Sequence, residues 1–258
     1  MTDWTNPAAW YDVLNPWGPS DDFYLDLVMA ADSVLDVGCG TGTLLHRARD
    51  AGHTGRLCGL DPDPAMLDQA RTRSDIEWVL ADAASGVWDR EFDLAVMASH
   101  AFQEFIGDDE LRRSLRAIRA ALRDGGRFAF DTRHPQARAW EGWNTSFEVR
   151  NPDGDVAWVS YELREVTGEL VRFTETLSGT WWDRPQVQHG RLRFLDPETL
   201  AAFLDDAGFV VDRQFGDWRR GPLTDASEEI ITIARRAERP PPPPAPARPV
   251  RPRRAAGR

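Results

Sequence analysis

The stretch Ser33–Arg49, SVLDVGCGTGTLLHRAR, decides the fold of this chain of 258 residues. An apolar run stops at a turn that carries Gly38, Gly40 and Gly42, and a helix-like pattern follows. This order predicts a strand, a glycine elbow and a helix. Alternate glycines let the backbone turn sharply and let a ligand approach closely, while the helix start presents unpaired N–H groups. We therefore expect a nucleotide-like ligand at this elbow.

Asp36, two places before the first glycine, helps to separate the two kinds of ligand that bind such elbows, dinucleotides and S-adenosylmethionine. A pyrophosphate near this carboxylate would be repelled, whereas the ammonium and sulfonium centres of S-adenosylmethionine would be attracted. The glycines also follow the spacing G-x-G-x-G, without the last step of the dinucleotide fingerprint G-x-G-x-x-G. Both observations favour S-adenosylmethionine.

The segment DVGCGTG, residues 36–42, resembles motif I of the class I S-adenosylmethionine-dependent methyltransferases. The resemblance covers residues 33–236 and implies an α/β fold with a doubly wound, mostly parallel seven-stranded sheet. The aromatic leader and an antiparallel β insert after the fifth strand are similar to those of small-molecule methyltransferases. The implied activity is methyl transfer from S-adenosyl-L-methionine to N or O of a small molecule, leaving S-adenosyl-L-homocysteine. Two alternatives stay open: a non-catalytic protein that binds this cofactor as a sensor or scaffold, and a nicotinamide-dependent oxidoreductase.

Acidic residues at the ends of the next two predicted strands complete the expected cofactor site. Asp61 lies 19 residues after Gly42, where an acid in a nucleotide-binding βαβ unit accepts both ribose hydroxyls. Asp63 is better placed than Asp61 to cap the following helix. Asp82 matches the position of the family's acidic contact to the adenine amino group, with a loop or cap role as the alternative. The expected cofactor contacts are Asp36, Gly38, Cys39, Gly40, Gly42, Asp61, Pro62, Met66, Asp82, Ala83 and Ser99, with Tyr11 and Trp17 from the N-terminal segment.

The loop after the fourth predicted strand, residues 98–105, should face the reacting methyl group, because ligands of doubly wound sheets lie at the carboxyl ends of the strands. It lacks the N/D-P-P-Y/F tetrad of the family members that methylate adenine or protein glutamine. His100 is the candidate catalytic residue, as a base or as a group that orients the acceptor. The alternative is a structural histidine held by backbone groups.

The acceptor pocket is predicted between this loop and the antiparallel insert. Its candidate residues carry aromatic, cationic or imidazole side chains that can hold a small polar molecule. They are His100, Phe102, Arg133, Tyr161, Arg172, Trp182, His189 and Arg191.

The periodicity of the chain predicts four parts. The aromatic leader should form two short helices, over 7–14 and over 20–30 with Ser20 as a cap, that either pack on the domain or close over the cofactor. Further helices are expected over 64–73 and 108–123.

The four predicted parts of the chain are an N-terminal helical lid segment, 1–30; the S-adenosylmethionine-binding α/β domain, 31–144 and 196–238; the antiparallel β insert, 145–195, as a wall of the acceptor pocket; and a disordered Pro/Arg-rich tail, 239–258.

Composition excludes several classes of function. All 31 basic residues are arginine, which excludes chemistries that need a lysine, such as a pyridoxal phosphate Schiff base. The net charge is −11, and subtracting the six arginines of the tail leaves −17 on the rest, which argues against nucleic acid as a partner. Two cysteines without metal-ligand spacing, no secretory signal and no membrane-length apolar run lead us to expect a cytoplasmic protein without metal or membrane contact. Monomer and homodimer both stay open.

Overall fold

The computed structural model describes residues 3–237, so the predicted tail lies outside the described part of the chain. From residue 33 to residue 133 strands and helices alternate as the sequence predicts, except that only a 3₁₀ turn, Ala83–Ser85, separates the strands Glu77–Leu80 and Phe92–Met97, and a run of four strands follows. In chain order the elements are a 3₁₀ turn Pro7–Trp10, α1 Tyr11–Leu14, α2 Pro19–Met29, β1 Ser33–Val37, α3 Thr43–Asp50, β2 Arg56–Asp61, α4 Pro64–Ala70, β3 Glu77–Leu80, β4 Phe92–Met97, α5 Asp108–Ala121, β5 Leu122–Arg133, β6 Thr145–Arg150, β7 Val156–Thr167, β8 Leu170–Gly179, β9 Gln186–Arg193, α6 Pro197–Asp206, β10 Phe209–Phe215 and β11 Glu229–Arg236.

The larger sheet has seven strands in the order β10-β11-β5-β4-β1-β2-β3. The strands from β5 to β3 run parallel, whereas β11 lies antiparallel to both β5 and β10. The predicted doubly wound, mostly parallel seven-stranded sheet is therefore confirmed. Because helices cover both faces, β1 is buried at every position, including its two polar residues, Ser33 and Asp36. The carboxyl ends of β1, β2, β4 and β5 meet along one edge of the sheet, where the elbow lies.

Apolar side chains of successive residues pack on opposite faces of this sheet. Val34 joins α2 and α3 in one core cluster, while Leu35 joins α5 and α6 in the other. The buried stripe of α5, which includes Leu111, Leu115 and Ile118, follows the three- and four-residue spacing of an amphipathic helix. None of the helices within residues 3–237 is long and apolar enough to cross a membrane.

The smaller sheet is the predicted antiparallel insert, with the order β6-β7-β8-β9. Tyr161, Glu175 and Gln188 lie opposite one another on neighbouring strands, so they share one face. Arg172 pairs with Arg191, and it lies three residues before Glu175 on the same strand. Since side chains alternate along a strand, this pair lies on the opposite face of the insert.

The N-terminal segment, residues 3–30, contacts both sheets. Trp10 is fully buried and packs with Ala157 and Leu177 of the insert, and the indole N–H of Trp4 donates to Asp153 at 2.7 Å. Further along, α2 packs on the larger sheet. The segment therefore holds the insert against the domain.

The start of α2 differs from the sequence prediction. The helix begins at Pro19, so the predicted Ser20 cap is wrong. Gly18 occupies the N-cap position, and its backbone N–H donates to the Asp21 carboxylate at 2.8 Å. The acid at the third helical position thus accepts from the N–H of the N-cap residue, as the acid of a capping box does.

Two other helices end earlier than predicted. α4 ends at Ala70 instead of Arg73, because the chain turns there and the Arg73 carbonyl accepts a hydrogen bond from Trp78 Nε1 at 2.9 Å. α5 ends at Ala121, because Leu122 already begins β5 and pairs with β4. Both differences are of one turn or less and leave the topology unchanged.

Candidate active site

The elbow between β1 and α3 contains glycines with different tasks. Gly38, Gly40 and Gly42 all have positive φ, at 74°, 53° and 78°. Apart from its chain neighbours, a Cβ on Gly40 would have only Tyr11 of the described residues within 4 Å, at 3.8 Å, so this position leaves room for a ligand. A Cβ on Gly42 would lie 2.4 Å from the Trp78 ring. A side chain at Gly42 would therefore collide with the protein's own core, which is a second reason for glycine there, and its expected contact with the cofactor stays a prediction.

Asp36 lies at the floor of the elbow, next to a second acid. Its side chain is buried, and burial together with the charge of Asp61 raises the pKa of Asp36 to about 7. Within residues 3–237 no hydrogen-bond donor reaches the Asp36 carboxylate. A buried carboxylate without a donor is costly when ionised, and a bound cation would relieve that cost. The elbow therefore fits a ligand with a cationic centre.

Asp61 connects the end of β2 to the elbow. Its carboxylate accepts hydrogen bonds from the backbone N–H groups of Gly40 and Asp63, both at 2.8 Å. Burial raises the pKa of Asp61, and these two hydrogen bonds oppose the rise. Each oxygen keeps lone-pair capacity for a ligand hydroxyl. Asp63 caps α4, as predicted, by accepting from the N–H of Ala65 at 2.8 Å.

The remaining expected cofactor contacts lie around these acids. Asp82 caps the 3₁₀ turn Ala83–Ser85 by accepting from the N–H of its last residue at 2.8 Å, which is the alternative role that the sequence allowed. Pro62 is exposed and Met66 is partly buried on α4. The backbone N–H of Cys39 donates to the Leu60 carbonyl at 3.0 Å, and burial raises the pKa of the Cys39 thiol.

Of the two N-terminal aromatic residues expected at the cofactor, the structure brings one to the elbow. The Tyr11 ring would lie 3.8 Å from a Cβ built on Gly40, and the next residue, Asp12, accepts from the hydroxyls of Thr41 and Thr43 at 2.7 and 3.2 Å. Burial and nearby carboxylates raise the pKa of Tyr11 to about 12. Trp17 lies instead beside α3, where the Arg47 guanidinium is 5.3 Å from its ring centroid.

The loop after β4 is strained at two consecutive residues. Ser99 and His100 have φ values of 56° and 61°, in the left-handed region that non-glycine residues rarely adopt. The backbone N–H of His100 donates to the Asp131 carboxylate at 3.0 Å, which compensates part of this strain. Ser99 is exposed, while His100 is held with its imidazole partly buried.

His100, Asp131, Glu229 and Tyr24 form a connected group of polar side chains, which we name the His100 cluster. His100 Nε2 lies 2.9 Å from Glu229 Oε2 and 3.4 Å from Asp131 Oδ2. Tyr24 donates its hydroxyl to Asp131 Oδ1 at 2.5 Å. Asp131 is fully buried, and burial raises its pKa, while His100 and Tyr24 act in the opposite direction. One imidazole nitrogen of His100, Nε2, therefore faces the carboxylates of Glu229 and Asp131.

Sequence reasoning missed Glu229, Asp131 and Tyr24 as site residues. Asp131 had a detectable signal, because it lies near the carboxyl end of β5, where ligands of such sheets bind. Glu229 had none, since it begins the last strand, 129 residues after His100. Ligand atoms of His100, Asp131 and Glu229 lie within 4.8 Å of one another, so the fold assembles a group that could hold a metal ion although no such spacing appears in the sequence.

The expected acceptor-pocket residues divide between the crevice and other places. Arg133 lies directly opposite Glu229 in the pairing of β5 with β11. Tyr161 lies on the face of the insert that contacts the N-terminal segment, and its hydroxyl donates to Glu175 at 2.9 Å. Burial, followed by the charge and the hydrogen bond of Glu175, raises the pKa of Tyr161, and the charge of Arg133 opposes this rise. Arg133 is near enough to Tyr161 and to Glu229, the partner of His100, for their charges to interact, so these three predicted residues lie in one region.

The other five are not brought to the crevice. Phe102 is buried in the core, with its ring stacked on Phe130 at a centroid distance of 4.2 Å. Trp182 donates to the carbonyl of Thr5 at 2.8 Å and packs on the N-terminal segment. The remaining three lie exposed on the face of the insert opposite Tyr161, a consequence of strand alternation: Arg172, His189 and Arg191.

Comparisons with known proteins agree with this geometry. A family model described as a methyltransferase domain matches residues 34–126. The chain is 29% identical over 215 residues to a 2-phytyl-1,4-naphtoquinone methyltransferase from Thermosynechococcus vestitus, covering 81% of this chain and 85% of that protein. It is 30% identical over 223 residues to a cypemycin N-terminal methyltransferase from a Streptomyces species, covering 79% and 83%.

A solved structure supports the same fold. The chain superposes on an amino pentose methyltransferase from Micromonospora echinaspora with bound S-adenosylmethionine, at a TM-score of 0.68 and 23% identity, covering 89% of this chain and 95% of that one. The match at 30% identity extends well beyond the elbow motif and covers most of the relative. The expected cofactor is therefore S-adenosylmethionine, and the expected activity is methyl transfer. The chain belongs to the class I S-adenosylmethionine-dependent methyltransferases.

Proposed function

We propose that the chain methylates the amine of a small polar molecule that binds between the elbow, the loop after β4 and the insert. The observation that carries this proposal is the His100 cluster, in which His100 Nε2 lies 2.9 Å from Glu229. An amine must be neutral to attack a methyl group, and a histidine held by carboxylates is suited to take its proton.

The cofactor side uses the residues of the elbow. S-adenosylmethionine supplies an electrophilic methyl group when it is bound. Asp36 attracts its cationic part, Asp61 accepts from its ribose hydroxyls, and Asp82 accepts from its adenine amine. Gly40 leaves the space that close approach needs, and Tyr11 excludes water from the elbow. These roles are supported by the unpartnered carboxylate of Asp36 and by the open space at Gly40.

His100 is the proposed base. With the proton on Nε2, the imidazole donates to Glu229, and Nδ1 is left to accept a proton from the acceptor ammonium. The carboxylates of Glu229 and Asp131 stabilise the imidazolium that results. Tyr24 and the backbone N–H of His100 hold Asp131 in place. The deprotonated amine then carries the lone pair that forms the new N–C bond, while the methyl–sulfur bond of the bound cofactor would break and S-adenosylhomocysteine would leave with that electron pair.

The choice of an amine acceptor is supported by relatives as well as by charge. The curated cypemycin methyltransferase acts at an N-terminus, and the structural neighbour acts on an amino pentose, according to their names. The naphtoquinone methyltransferase shows that related chains also use other acceptors. In this chain the acids around the crevice, Asp131, Glu229 and Glu175, favour a cationic acceptor over a neutral hydroxyl or a ring carbon.

The N-terminal segment and the insert have proposed roles in enclosing the acceptor. The segment is proposed as a lid, because Asp12 accepts a hydrogen bond from Thr41 of the elbow while Trp10 packs against the insert. The insert is proposed as the wall of the pocket, with Tyr161 facing inward. Enclosure by both would exclude water from the reacting groups.

The test starts with the purified protein, S-adenosylmethionine and a mass-spectrometric screen of amino acids, amino sugars and short peptides. Matched hydroxyl analogues serve as comparison acceptors. His100→Gln should lower kcat by about 100- to 10,000-fold with unchanged affinity for S-adenosylhomocysteine by calorimetry. His189→Gln, on the outer face of the insert, is the control and should keep full activity.

Two further experiments, the variant Glu229→Gln and chelation with EDTA, test whether the His100 cluster acts as a base or holds a metal ion. Glu229→Gln should lower kcat without changing the affinity for S-adenosylhomocysteine, because the side chain no longer carries the charge that stabilises the imidazolium. Activity that is lost with EDTA and restored by a divalent cation would assign the His100 cluster to a metal instead. Methylation of only the hydroxyl analogues, or wild-type turnover by His100→Gln, would overturn the proposal.

A further inference from the structure

Arg133 is a cation at the edge of the proposed acceptor site. It ends β5 and lies directly opposite Glu229 of β11. Residues directly opposite in an antiparallel pair present their side chains on the same face of the sheet. Arg133 therefore lies on the face that also presents Glu229, the partner of His100.

Arg133 lacks the acidic partner that comparable arginines have. Among the arginines of residues 3–237 that are not fully exposed, only Arg119 and Arg133 have no carboxylate oxygen within 4.0 Å. Arg119 donates to two backbone carbonyls, of Gly208 and Ala237. The Arg133 guanidinium has one neutral acceptor, Gln103 Oε1, at 3.1 Å.

The surroundings hold this guanidinium in one place. Gln103 is itself buried and fixed, because its amide also donates to the Arg193 carbonyl at 3.1 Å. On another side the Trp143 ring centroid lies 5.6 Å from the guanidinium carbon, a distance at which an aromatic face attracts a cation. The side chain of Arg133 is thus positioned by contacts that leave its charge uncompensated.

The nearest acids are already engaged. Glu229 lies against His100, and Asp131 accepts from Tyr24 and His100. Burial lowers the pKa of Arg133, and the charges of Glu229 and Asp131 only oppose this effect. No nitrogen of Arg133 is among the buried atoms that lack a partner within residues 3–237, so its remaining N–H donors reach open space.

We infer that Arg133 is a specificity residue that binds an anionic group of the acceptor, a carboxylate or a phosphate. The inference rests on the proposed amine methylation. An uncompensated cation in a partly buried site is costly, and the planar guanidinium fork matches the two oxygens of a carboxylate or phosphate. The acceptor is therefore a zwitterionic molecule, with its anion at Arg133 and its amine at His100.

The experiment uses pairs of amines that differ only in the anionic group. One pair is an amino acid and its carboxamide, and another is an amino sugar 1-phosphate and the unphosphorylated amino sugar. The wild type should have a kcat/KM about 10- to 100-fold higher for the anionic member, the size expected for a charge-assisted hydrogen bond. The pair that shows the larger preference identifies the anion as carboxylate or phosphate.

Variants of Arg133 provide the matched comparison. Arg133→Gln should remove the preference by raising KM for the anionic member and leave the neutral member unchanged, while Arg133→Lys should keep part of it. Arg172→Gln, on the outer face of the insert, should behave as the wild type. A preference that survives in Arg133→Gln, or a wild type that uses both members equally, would overturn the inference.

A binding measurement separates this inference from the proposed reaction. The Tm of the wild type saturated with S-adenosylhomocysteine should rise with inorganic phosphate or acetate relative to chloride at equal ionic strength, and Arg133→Gln should lose the rise. If this rise is present but no amine is methylated, the amine reaction fails and the anion site stands. If amines are methylated without any effect of Arg133→Gln on Tm or preference, the anion site fails and the reaction stands.

Discussion

Replacing Asp36 by asparagine should stabilise the protein in the absence of ligand and weaken its binding of S-adenosylhomocysteine. The Asp36 side chain is 3% exposed, and burial together with Asp61 raises its pKa from 3.8 to about 7. Because one pKa unit corresponds to about 1.4 kcal/mol, the ionised carboxylate destabilises the folded state by about 4 kcal/mol relative to a neutral side chain of the same shape. Asp36→Asn removes that destabilisation and also the charge that attracts the ligand.

The sign of this effect fixes its pH dependence. The folded protein holds the Asp36 proton more tightly than the unfolded chain, so this group stabilises the fold most below pH 3.8 and progressively less up to about pH 7. Asparagine does not titrate. The stability advantage of Asp36→Asn should therefore grow from about 2 kcal/mol near pH 5.5 to about 4 kcal/mol near pH 8.

Urea unfolding of both proteins at these two pH values measures the prediction, and calorimetry with S-adenosylhomocysteine measures the binding. Asp109→Asn, an exposed acid in the first turn of α5, is the control and should show an almost constant difference from the wild type. An Asp36→Asn advantage that stays flat or shrinks with rising pH would refute the reasoning about burial. Unchanged affinity for the ligand would remove Asp36 from the cofactor site.

Two further substitutions test the packing around the site. Gly42→Ala should lower the free energy of unfolding by about 2 to 5 kcal/mol, since φ is 78° and the new Cβ would lie 2.4 Å from an indole ring. Gly52→Ala, with φ of 90° and no atom within 4 Å, should cost only about 1 to 2 kcal/mol, and equal losses in urea unfolding would contradict this. Tyr24→Phe should lower stability by about 1 to 3 kcal/mol, because it removes a donor from the buried Asp131. A Tm equal to that of the wild type would show that this hydrogen bond contributes nothing.

The cofactor half of the crevice could be predicted because its signals are local. The glycines and Asp36 belong to one short stretch, and Asp61 follows at a spacing that one βα unit sets. The alternation of strands and helices then predicts a parallel sheet and leaves few possible topologies. The Asp63 cap could also be predicted from its neighbours in the sequence. The start of α2 was placed wrongly, because Ser20 and Asp21 are both plausible capping residues and Asp21 is the one that accepts from the Gly18 N–H.

The acceptor half could not be predicted in the same way, because it depends on contacts between distant segments. Whether a residue of the insert points inward is decided by parity along its strand, and His189 and Arg191 have the parity of the exposed face. Choosing acceptor residues by the type of their side chains does not show which face of the strand they occupy. Glu229 reaches His100 only because β11 pairs with β5 in a defined register.

The position of β11 has a consequence for how the protein is made. This strand is the last of the described chain, yet it lies between β5 and β10 in the sheet. On the ribosome, β5 emerges about 100 residues before the strand that covers its edge, and that edge stays open to unwanted pairing in the meantime. Glu229 arrives with the same strand. Closing the sheet and completing the His100 cluster are thus a single late event, and a chain released before residue 229 has neither.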